Sequence, residues 1–132
     1  GSRQNPEGDY AAVIPKFASL MKEGKKPTVY GDGEQTRDFV HVSDVVKANL
    51  RAIESDYHGG VLNIASGERK SVNNPVRVLN DVLGTELEPV YDDPRTGEVR
   101  HSVADISKAH EKIGFVAETD FRKGIEKTVN SL

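Results

Sequence analysis

The sequence predicts a mixed α/β (α+β) fold, in which about four or five helices cover a small mixed sheet. Two observations predict it. Several stretches carry apolar residues at helical spacing, and short β-rich runs bounded by glycine or proline lie between them. A length of 132 residues is enough for one domain with its own hydrophobic core.

The composition narrows the class of protein. Apolar residues make up 36% of the chain and charged residues 30%, which is typical of globular domains. Because the net charge is −3 and Lys and Arg are dispersed, we expect no nucleic-acid partner. No apolar run reaches membrane-spanning length and no signal-peptide pattern occurs, so we expect no membrane partner and a cytoplasmic location. The absence of cysteine excludes disulfides and thiolate metal sites.

The first half of the chain predicts two helices and three strands. They are a helix at 10–24, strands at 28–30 and 36–41 around a glycine turn at 31–33, a helix at 45–55, and a buried strand at 61–65. Pro15 fits only in a first turn, so the first helix proper is expected to begin near Val13 or Ile14. Ser43 and Asp44 are the expected caps of the second helix.

The second half predicts three more helices. The predicted elements are a helix at 72–83, a strand at 88–91, a polar loop at 92–97, an extended run at 99–104, and helices at 107–113 and 121–129. Ser71 is expected to cap the first of these helices and Gly84 to end it. Gly114 is expected to stop the next helix, and Thr119 with Asp120 to cap the last.

Gly31-x-Gly33-x-x-Thr36 superficially matches a dinucleotide-binding fingerprint. It lacks the third glycine, and it lies between two predicted strands instead of between a strand and a helix. The helix N-terminus that would hold a pyrophosphate is therefore missing, and we interpret the segment as a hairpin turn. The four histidines show no metal-ligand spacing, and no serine lies in a nucleophile elbow, so neither a metal site nor a serine hydrolase is expected.

Arg37 is the first candidate anion contact. It follows the glycine turn at a predicted strand start, where a guanidinium can hold a phosphate in a fork geometry. An ion pair with Asp38, Asp44 or another acid is the simpler interpretation of the same pattern.

The loop Arg95-x-Gly97-Glu98 pairs a fork-shaped donor with a carboxylate. Arg95 could contact a phosphate while Glu98 contacts a ribose hydroxyl, and Arg100 is a third possible phosphate contact. An ordinary solvated loop would show the same pattern, and the residues alone leave the two interpretations open.

Taken in order, these motifs resemble those of a known family. They are Val13-Ile14-Pro15-Lys16-Phe17, Val29-Tyr30-Gly31-Asp32-Gly33-x-Gln35-x-Arg37-Asp38-Phe39-Val40-His41, Asn63-Ile64-Ala65-Ser66-Gly67 and Arg95-x-Gly97-Glu98-Val99-Arg100-His101. From residue 3 onward the chain is similar to the C-terminal half of extended short-chain dehydrogenase/reductases, which are NAD-dependent sugar-nucleotide epimerases and dehydratases. The resemblance is greatest to the UDP-sugar 4-epimerases.

The resemblance implies a substrate-binding C-terminal domain in residues 3–132. Residues 1–2 are interpreted as the remnant of an expression tag, and the N-terminal Rossmann half that binds NAD is expected to be missing. The implied contacts to a UDP-sugar are Val13 near the base, Arg37 and Arg95 at the phosphates, Glu98 at the ribose, and Tyr30 and Val72 around the nucleoside.

In that family a Tyr-x-x-x-Lys pair moves a proton while NAD takes and returns a hydride. None of the four tyrosines of this chain is followed by Lys at the fourth position. We therefore expect no catalytic residue and no bound cofactor in this chain, and weak binding of a UDP-sugar at best. NAD use and the interconversion of UDP-glucose and UDP-galactose would belong to a longer parent enzyme.

Several positions depart from the family pattern. Lys70 stands where an apolar or Thr residue is common, and Ser131 stands where Trp is common. Asn74-Pro75 replaces the Glu-Leu of a Ser-x-x-Glu-Leu helix start, and Thr96-Gly97-Glu98 replaces the frequent Pro-Gly-Asp. These departures suggest an excised domain, engineered or selected for solubility, which could self-associate through the surface that a Rossmann partner would cover. The alternative is a stand-alone binding or scaffold domain without a catalytic role.

Overall fold

The fold is that of a computed structural model of the chain, which describes residues 1–5, 7 and 12–132. The described residues form five helices and four short strands, which confirms the mixed α/β class with a small sheet. The elements are α1 (Val13–Lys22), β1 (Thr28–Tyr30), β2 (Thr36–Arg37), α2 (Val42–Glu54), β3 (Lys70–Ser71), α3 (Asn73–Leu83), β4 (Val90–Asp92), α4 (Ser107–Ile113) and α5 (Phe121–Val129).

The strands pair across long sequence separations. β1 runs parallel to β4, with Tyr30 opposite Asp92, and β2 runs antiparallel to β3, with Arg37 opposite Lys70. Thr36 also forms a parallel bridge with His101. The predicted hairpin of 28–30 with 36–41 is therefore wrong, because each of its strands pairs with a distant partner.

Three helices and one strand enclose the main core. α1, α3 and α5 pack together over β1, and their buried side chains include Phe17, Met21, Leu79 and Ile125. Burying a side chain of this size stabilises the fold by about 1.5–3 kcal/mol relative to leaving it exposed. A smaller cluster around Phe115 packs α4 against α2.

The helices of the C-terminal half largely follow the sequence pattern. α4 spans the predicted residues and ends at Gly114, which is left-handed at φ 62°. α5 begins after Asp120, whose carboxylate accepts the Lys123 N–H at 3.1 Å, as predicted. α3 ends at the left-handed Gly84, also as predicted.

Two helix caps differ from the prediction. α2 begins at Val42, and its cap is His41, whose ring accepts the Ser43 N–H; Asp44 lies in the first turn and is not a cap. An imidazole nitrogen can serve as the capping acceptor, so the helix starts earlier than a Ser or Asp cap would place it. α3 is capped by Val72 instead of Ser71.

Ser71 cannot cap α3 because it belongs to β3. Its N–H and its hydroxyl both donate to the Asn74 carboxamide oxygen at 2.9 Å. The acceptor is therefore a side chain inside α3, and both donors belong to a residue before the helix. Pro75 is the third residue of α3, where no intrahelical donor is lost.

The predicted buried strand at 61–65 is wrong. The segment forms no strand with the described residues, and Val61 is 83% exposed. Its polar contacts come from side chains, with Lys108 Nζ donating to the Val61 carbonyl and Asn63 donating to the Asp105 carbonyl. A β-rich run becomes a strand only where another strand supplies the ladder hydrogen bonds.

Three predicted boundaries shift. The first helix begins at Val13 as expected and ends at Lys22, whereas residue 10 lies outside the described residues. The strand predicted at 36–41 is limited to β2, and the one predicted at 88–91 moves to β4. Within the extended run predicted at 99–104, His101 forms a single bridge.

Candidate functional site

An open cleft of about 640 Å³ lies where β1 and β4 end side by side. Parallel strands present their carboxyl ends at the same edge of a sheet, so the turn after β1 and the loop after β4 face each other there. The loop brings Arg95, Glu98 and Arg100 to the cleft, and β1 brings Tyr30. Four of the seven residues predicted for the site thus line one cavity.

Arg95 lies over the ring of Tyr30. The guanidinium carbon is 4.1 Å from the ring centroid, which is a cation–π contact. The Tyr30 carbonyl accepts a hydrogen bond from the Gln35 carboxamide at 2.7 Å, which ties β1 to the segment before β2. The cleft therefore has an aromatic floor with a positive charge on it.

Arg37 forms the ion pair that the sequence left open, but with a distant acid. Its Nη2 donates to Glu98 Oε1 at 2.7 Å, and its Nη1 donates to the Thr36 carbonyl at 2.8 Å. The two side chains are 27% and 30% exposed. Through Glu98, Arg37 is linked to the cleft, so the predicted phosphate and ribose contacts lie in direct contact with each other.

Asp38, considered as a partner of Arg37, is engaged elsewhere. One carboxylate oxygen accepts from the Ser66 N–H and hydroxyl, and the other accepts from the N–H groups of Gly67 and Ala104. Four donors on one carboxylate hold the loop at 66–67 and the end of the extended run against β2. Asp38 thereby fixes the backbone that carries Arg37.

Arg100 is held by Asp32 at the rim of the cleft. Two guanidinium nitrogens donate to the two carboxylate oxygens at 2.7 and 2.8 Å, which is the bidentate geometry of a strong pair. The Arg100 guanidinium and the Glu34 N–H lower the pKa of Asp32 to about 2, and the same pair raises the pKa of Arg100. Arg100 is therefore paired with a carboxylate of the cleft, as Arg37 is.

Val13 and Val72 lie outside this cleft. Val13 lines a second cavity of about 220 Å³ with Phe39, His41 and Phe121. Val72 is 7% exposed and packs in the main core. Neither residue shares the cleft with Tyr30, so their contacts to the base and the nucleoside stay predictions.

Seven residues of the cleft were not predicted as site residues, among them Asp32, Gln35 and Tyr91. Tyr91 and Asp32 line the cavity, and Gln35 supports Tyr30. Tyr91 ends the strand predicted at 88–91, and Asp32 lies in the turn predicted at 31–33, so the ends of the two strands were a usable signal. The parallel pairing of β1 with β4, which brings these strand ends together, left no such signal in the sequence.

The glycine turn serves packing and not a dinucleotide. Gly33 has φ +73°, and a Cβ placed on it would collide with Asn73 Oδ1. Asn73 donates to the Asp32 carbonyl and to Glu34, and the hydroxyl of Tyr91 donates to Asn73. The turn leads into β2 and not into a helix, so the described residues do not fit the pyrophosphate of NAD here.

Other chemistry is less well supported. Ser43 Oγ lies 2.7 Å from His41 Nδ1, but the carboxylate of Asp44 accepts from the Thr119 N–H instead of orienting the imidazole. Across the described ranges, His, Cys, Asp and Glu form no group of three or more that could hold a metal ion. Within those same ranges, no helix is long and apolar enough to cross a membrane.

The comparisons with known proteins agree with the fold. Residues 1–65 match the NAD dependent epimerase/dehydratase family. A putative UDP-glucose 4-epimerase of Methanocaldococcus jannaschii is 42% identical over 130 residues, which are 98% of this chain and 41% of that protein.

Two solved structures extend the comparison. The UDP-glucose 4-epimerase of Thermotoga maritima, solved with UDP-glucose, is 40% identical with a TM-score of 0.93, over 99% of this chain and 42% of its own. The UDP-glucuronic acid 4-epimerase of Bacillus cereus, solved with UDP-glucuronic acid and NAD, is 28% identical with a TM-score of 0.89, over 99% of this chain and 41% of its own.

The chain therefore spans about two fifths of the length of these relatives, at 41% and 42%. Nearly the whole chain is thus similar in sequence and in fold to UDP-glucose 4-epimerases, and residues 1–65 match the NAD dependent epimerase/dehydratase family.

Proposed function

We propose that this chain is the nucleotide-sugar-binding part of a UDP-sugar 4-epimerase and that the cleft at the ends of β1 and β4 takes the nucleoside diphosphate. The observation that carries the proposal is the convergence of Arg95, Glu98 and Tyr30 on one cavity, with Arg37 held by Glu98. It is supported by the relative of Thermotoga maritima, which was solved with UDP-glucose.

The chemistry of the cleft suits a nucleoside diphosphate. A tyrosine ring offers a face for stacking a base, and two guanidinium groups offer the fork geometry that binds phosphate oxygens. A carboxylate accepts hydrogen bonds from the two ribose hydroxyls. We assign the base to Tyr30, the diphosphate to Arg37 and Arg95, and the ribose to Glu98.

The parent reaction is proposed to be the interconversion of UDP-glucose and UDP-galactose, with transient hydride transfer to NAD. Hydride chemistry needs a bound cofactor and a positioned acid or base. None of the four tyrosines of this chain has a lysine four residues later, and the Gly33 turn is packed against Asn73. We therefore propose that this chain binds a UDP-sugar weakly and does not convert it alone.

Calorimetric titration with UDP-glucose, followed by incubation with NAD and chromatography of the sugar nucleotides, tests the proposal. We expect heat of binding from UDP-glucose and none from uridine, because the diphosphate is what the arginines recognise. The amount of UDP-galactose is expected to equal that in a control of NAD and UDP-glucose without protein. Conversion by the chain alone would contradict the proposed division of roles, and no binding of UDP-glucose would contradict the site.

A further inference from the structure

Glu98 already occupies the guanidinium that is assigned to the diphosphate. The Arg37 to Glu98 contact is 2.7 Å, and the second Arg37 nitrogen is held by the Thr36 carbonyl. Of the other arginines, Arg95 lies on an aromatic ring, and Arg100 is paired with Asp32, a second carboxylate that lines the cleft. A carboxylate that lines the cleft thus competes directly for Arg37.

We propose that Glu98 determines ligand specificity by acting as an internal anion, so that the cleft accepts nucleoside diphosphates and rejects inorganic phosphate and pyrophosphate. The inference rests on the proposed function, because it takes Arg37 as the diphosphate contact and Glu98 as the ribose contact. It adds a role for Glu98 in the free protein, where the same carboxylate blocks the anion site.

The selectivity follows from what each ligand offers the displaced carboxylate. An inorganic anion that takes Arg37 leaves Glu98 without a partner beside a new negative charge, which is unfavourable. A nucleoside diphosphate takes Arg37 and also brings two ribose hydroxyls that donate to Glu98. Only the second exchange replaces every hydrogen bond that it breaks.

The loop geometry lets Glu98 make this exchange. The Glu98 N–H donates to the Arg95 carbonyl at 3.2 Å, so the two residues are joined by one tight turn. Gly97 between them has φ +80°, and a Cβ there would meet no atom within 4 Å. The turn therefore brings Glu98 and Arg95 to the same cleft, where one ligand can contact both side chains.

The test compares the affinities of UDP and pyrophosphate for the wild-type chain and for three variants at one ionic strength. Glu98→Gln removes the charge, and Glu98→Asp keeps the charge but withdraws the carboxylate by one methylene. Glu54→Gln is the matched control, because Glu54 is exposed at the end of α2 and does not line the cleft. Amide spectra check that each variant keeps the fold.

We expect Glu98→Gln to bind pyrophosphate about two- to fivefold more tightly than wild type, which corresponds to the release of one partly exposed ion pair. UDP affinity should stay equal or fall, because the ribose contact weakens. Glu98→Asp should also gain pyrophosphate affinity, whereas Glu54→Gln should not.

Three results would overturn the inference while leaving the proposed function intact, provided that wild type binds UDP. The first is unchanged pyrophosphate affinity in Glu98→Gln, and the second is an equal gain of affinity in Glu54→Gln. The third is wild-type affinity in Glu98→Asp, which would mean that the gain in Glu98→Gln comes from the change in net charge alone. Failure of wild type to bind UDP would overturn the proposed function and the inference together.

Discussion

Each arginine of the cleft already has an intramolecular partner. Arg37 holds Glu98, Arg95 covers Tyr30, and Arg100 is paired with Asp32. Partly exposed ion pairs contribute about 0–1 kcal/mol, so a diphosphate can displace them at small cost. At the residue scale, the site is therefore a set of weak internal contacts that a ligand exchanges for stronger ones.

Most of these residues could be predicted from the sequence, but their partners could not. The guanidinium of Arg37 and the carboxylate of Glu98 are 61 positions apart, and only the folded chain brings them together. The sequence offered Asp38 as a nearer acid, yet that carboxylate is satisfied by Ser66, Gly67 and Ala104. Local charge patterns therefore indicate candidates but do not select among partners.

His41 couples the stability of the fold to pH. Burial, with a smaller effect of Lys127, lowers the pKa of His41 below its ordinary value of 6.5, while Asp44 opposes the shift. Its Nδ1 caps α2 by accepting the Ser43 N–H, and its Nε2 is buried without a partner among the described residues. The neutral ring is thus the form that the folded chain requires.

As the pH falls below about 6.5, the unfolded chain takes up a proton at this position before the folded chain does, so the free energy of unfolding decreases until the folded pKa is reached. Urea unfolding at about pH 7 and about pH 5 should show a larger loss in wild type than in His41→Asn, which keeps a capping acceptor. The exposed His110→Gln variant is the control. Equal losses in wild type and His41→Asn would contradict the assignment.

At the element scale, the turn between β1 and β2 is built around the contact of Gly33 with Asn73. The Asn73 N–H donates to the Gly33 carbonyl at 3.1 Å, and its side chain bonds the Asp32 carbonyl and Glu34. This contact docks the turn on the start of α3. It also fixes the position at which β1 ends and the cleft begins.

Gly33→Ala should therefore destabilise the chain by about 1–3 kcal/mol more than Gly24→Ala. Both glycines have positive φ, at +73° and +71°, so both variants carry the same backbone strain. Only at Gly33 would the added methyl collide with a neighbour, because nothing lies within 4 Å of a Cβ at Gly24. Urea midpoints measure the difference. Equal losses of stability in the two variants would show that Asn73 moves away from the added methyl without destabilising the fold.

The exposed face of α2 is the second feature at this scale. Val46, Leu50 and Ile53 are 52%, 54% and 80% exposed at helical spacing, and Val61 of the unpaired 61–65 segment is 83% exposed. Exposed apolar patches of this kind mark interaction surfaces or cause association. We infer that two copies of the chain associate through this face when no other partner covers it.

Sedimentation of wild type should accordingly depend on concentration. Leu50→Ser and Ile53→Ser should shift the equilibrium toward monomer, because each removes apolar area from the contact. Val116→Ser is the matched control, since Val116 is 48% exposed and lies outside α2. A monomeric wild type at every concentration, or an equal shift by Val116→Ser, would sink the inference.

Helices were predicted better than strands for a physical reason. Helix hydrogen bonds lie within one segment, so the spacing of apolar residues and the position of Gly114 located α4 correctly. A strand depends on a partner elsewhere in the chain, and neither the parallel pairing of β1 with β4 nor the lack of a described partner for 61–65 can be read from local composition. Errors in the fold therefore concentrate at strand partners and helix caps.

At the scale of the whole molecule, the chain forms a cleft from its own residues and spans only part of its relatives' length. It spans 41% of the relative from Methanocaldococcus jannaschii and matches its fold neighbours over 99% of its own residues. The two cavities lie on different elements, with the first at the ends of β1 and β4 and the second beside α5. We expect the first of these cavities, and not the second, to bind a nucleoside diphosphate.

Titration with UDP, followed through the backbone amide shifts, tests this claim most directly. Saturable shifts are expected at Tyr30, Arg37, Arg95 and Glu98. The affinity for UDP that they report should fall about tenfold in Arg37→Ala but not in the exposed Arg77→Ala. Shifts confined to the cavity around Val13 and His41, or an affinity that Arg37→Ala leaves unchanged, would contradict it.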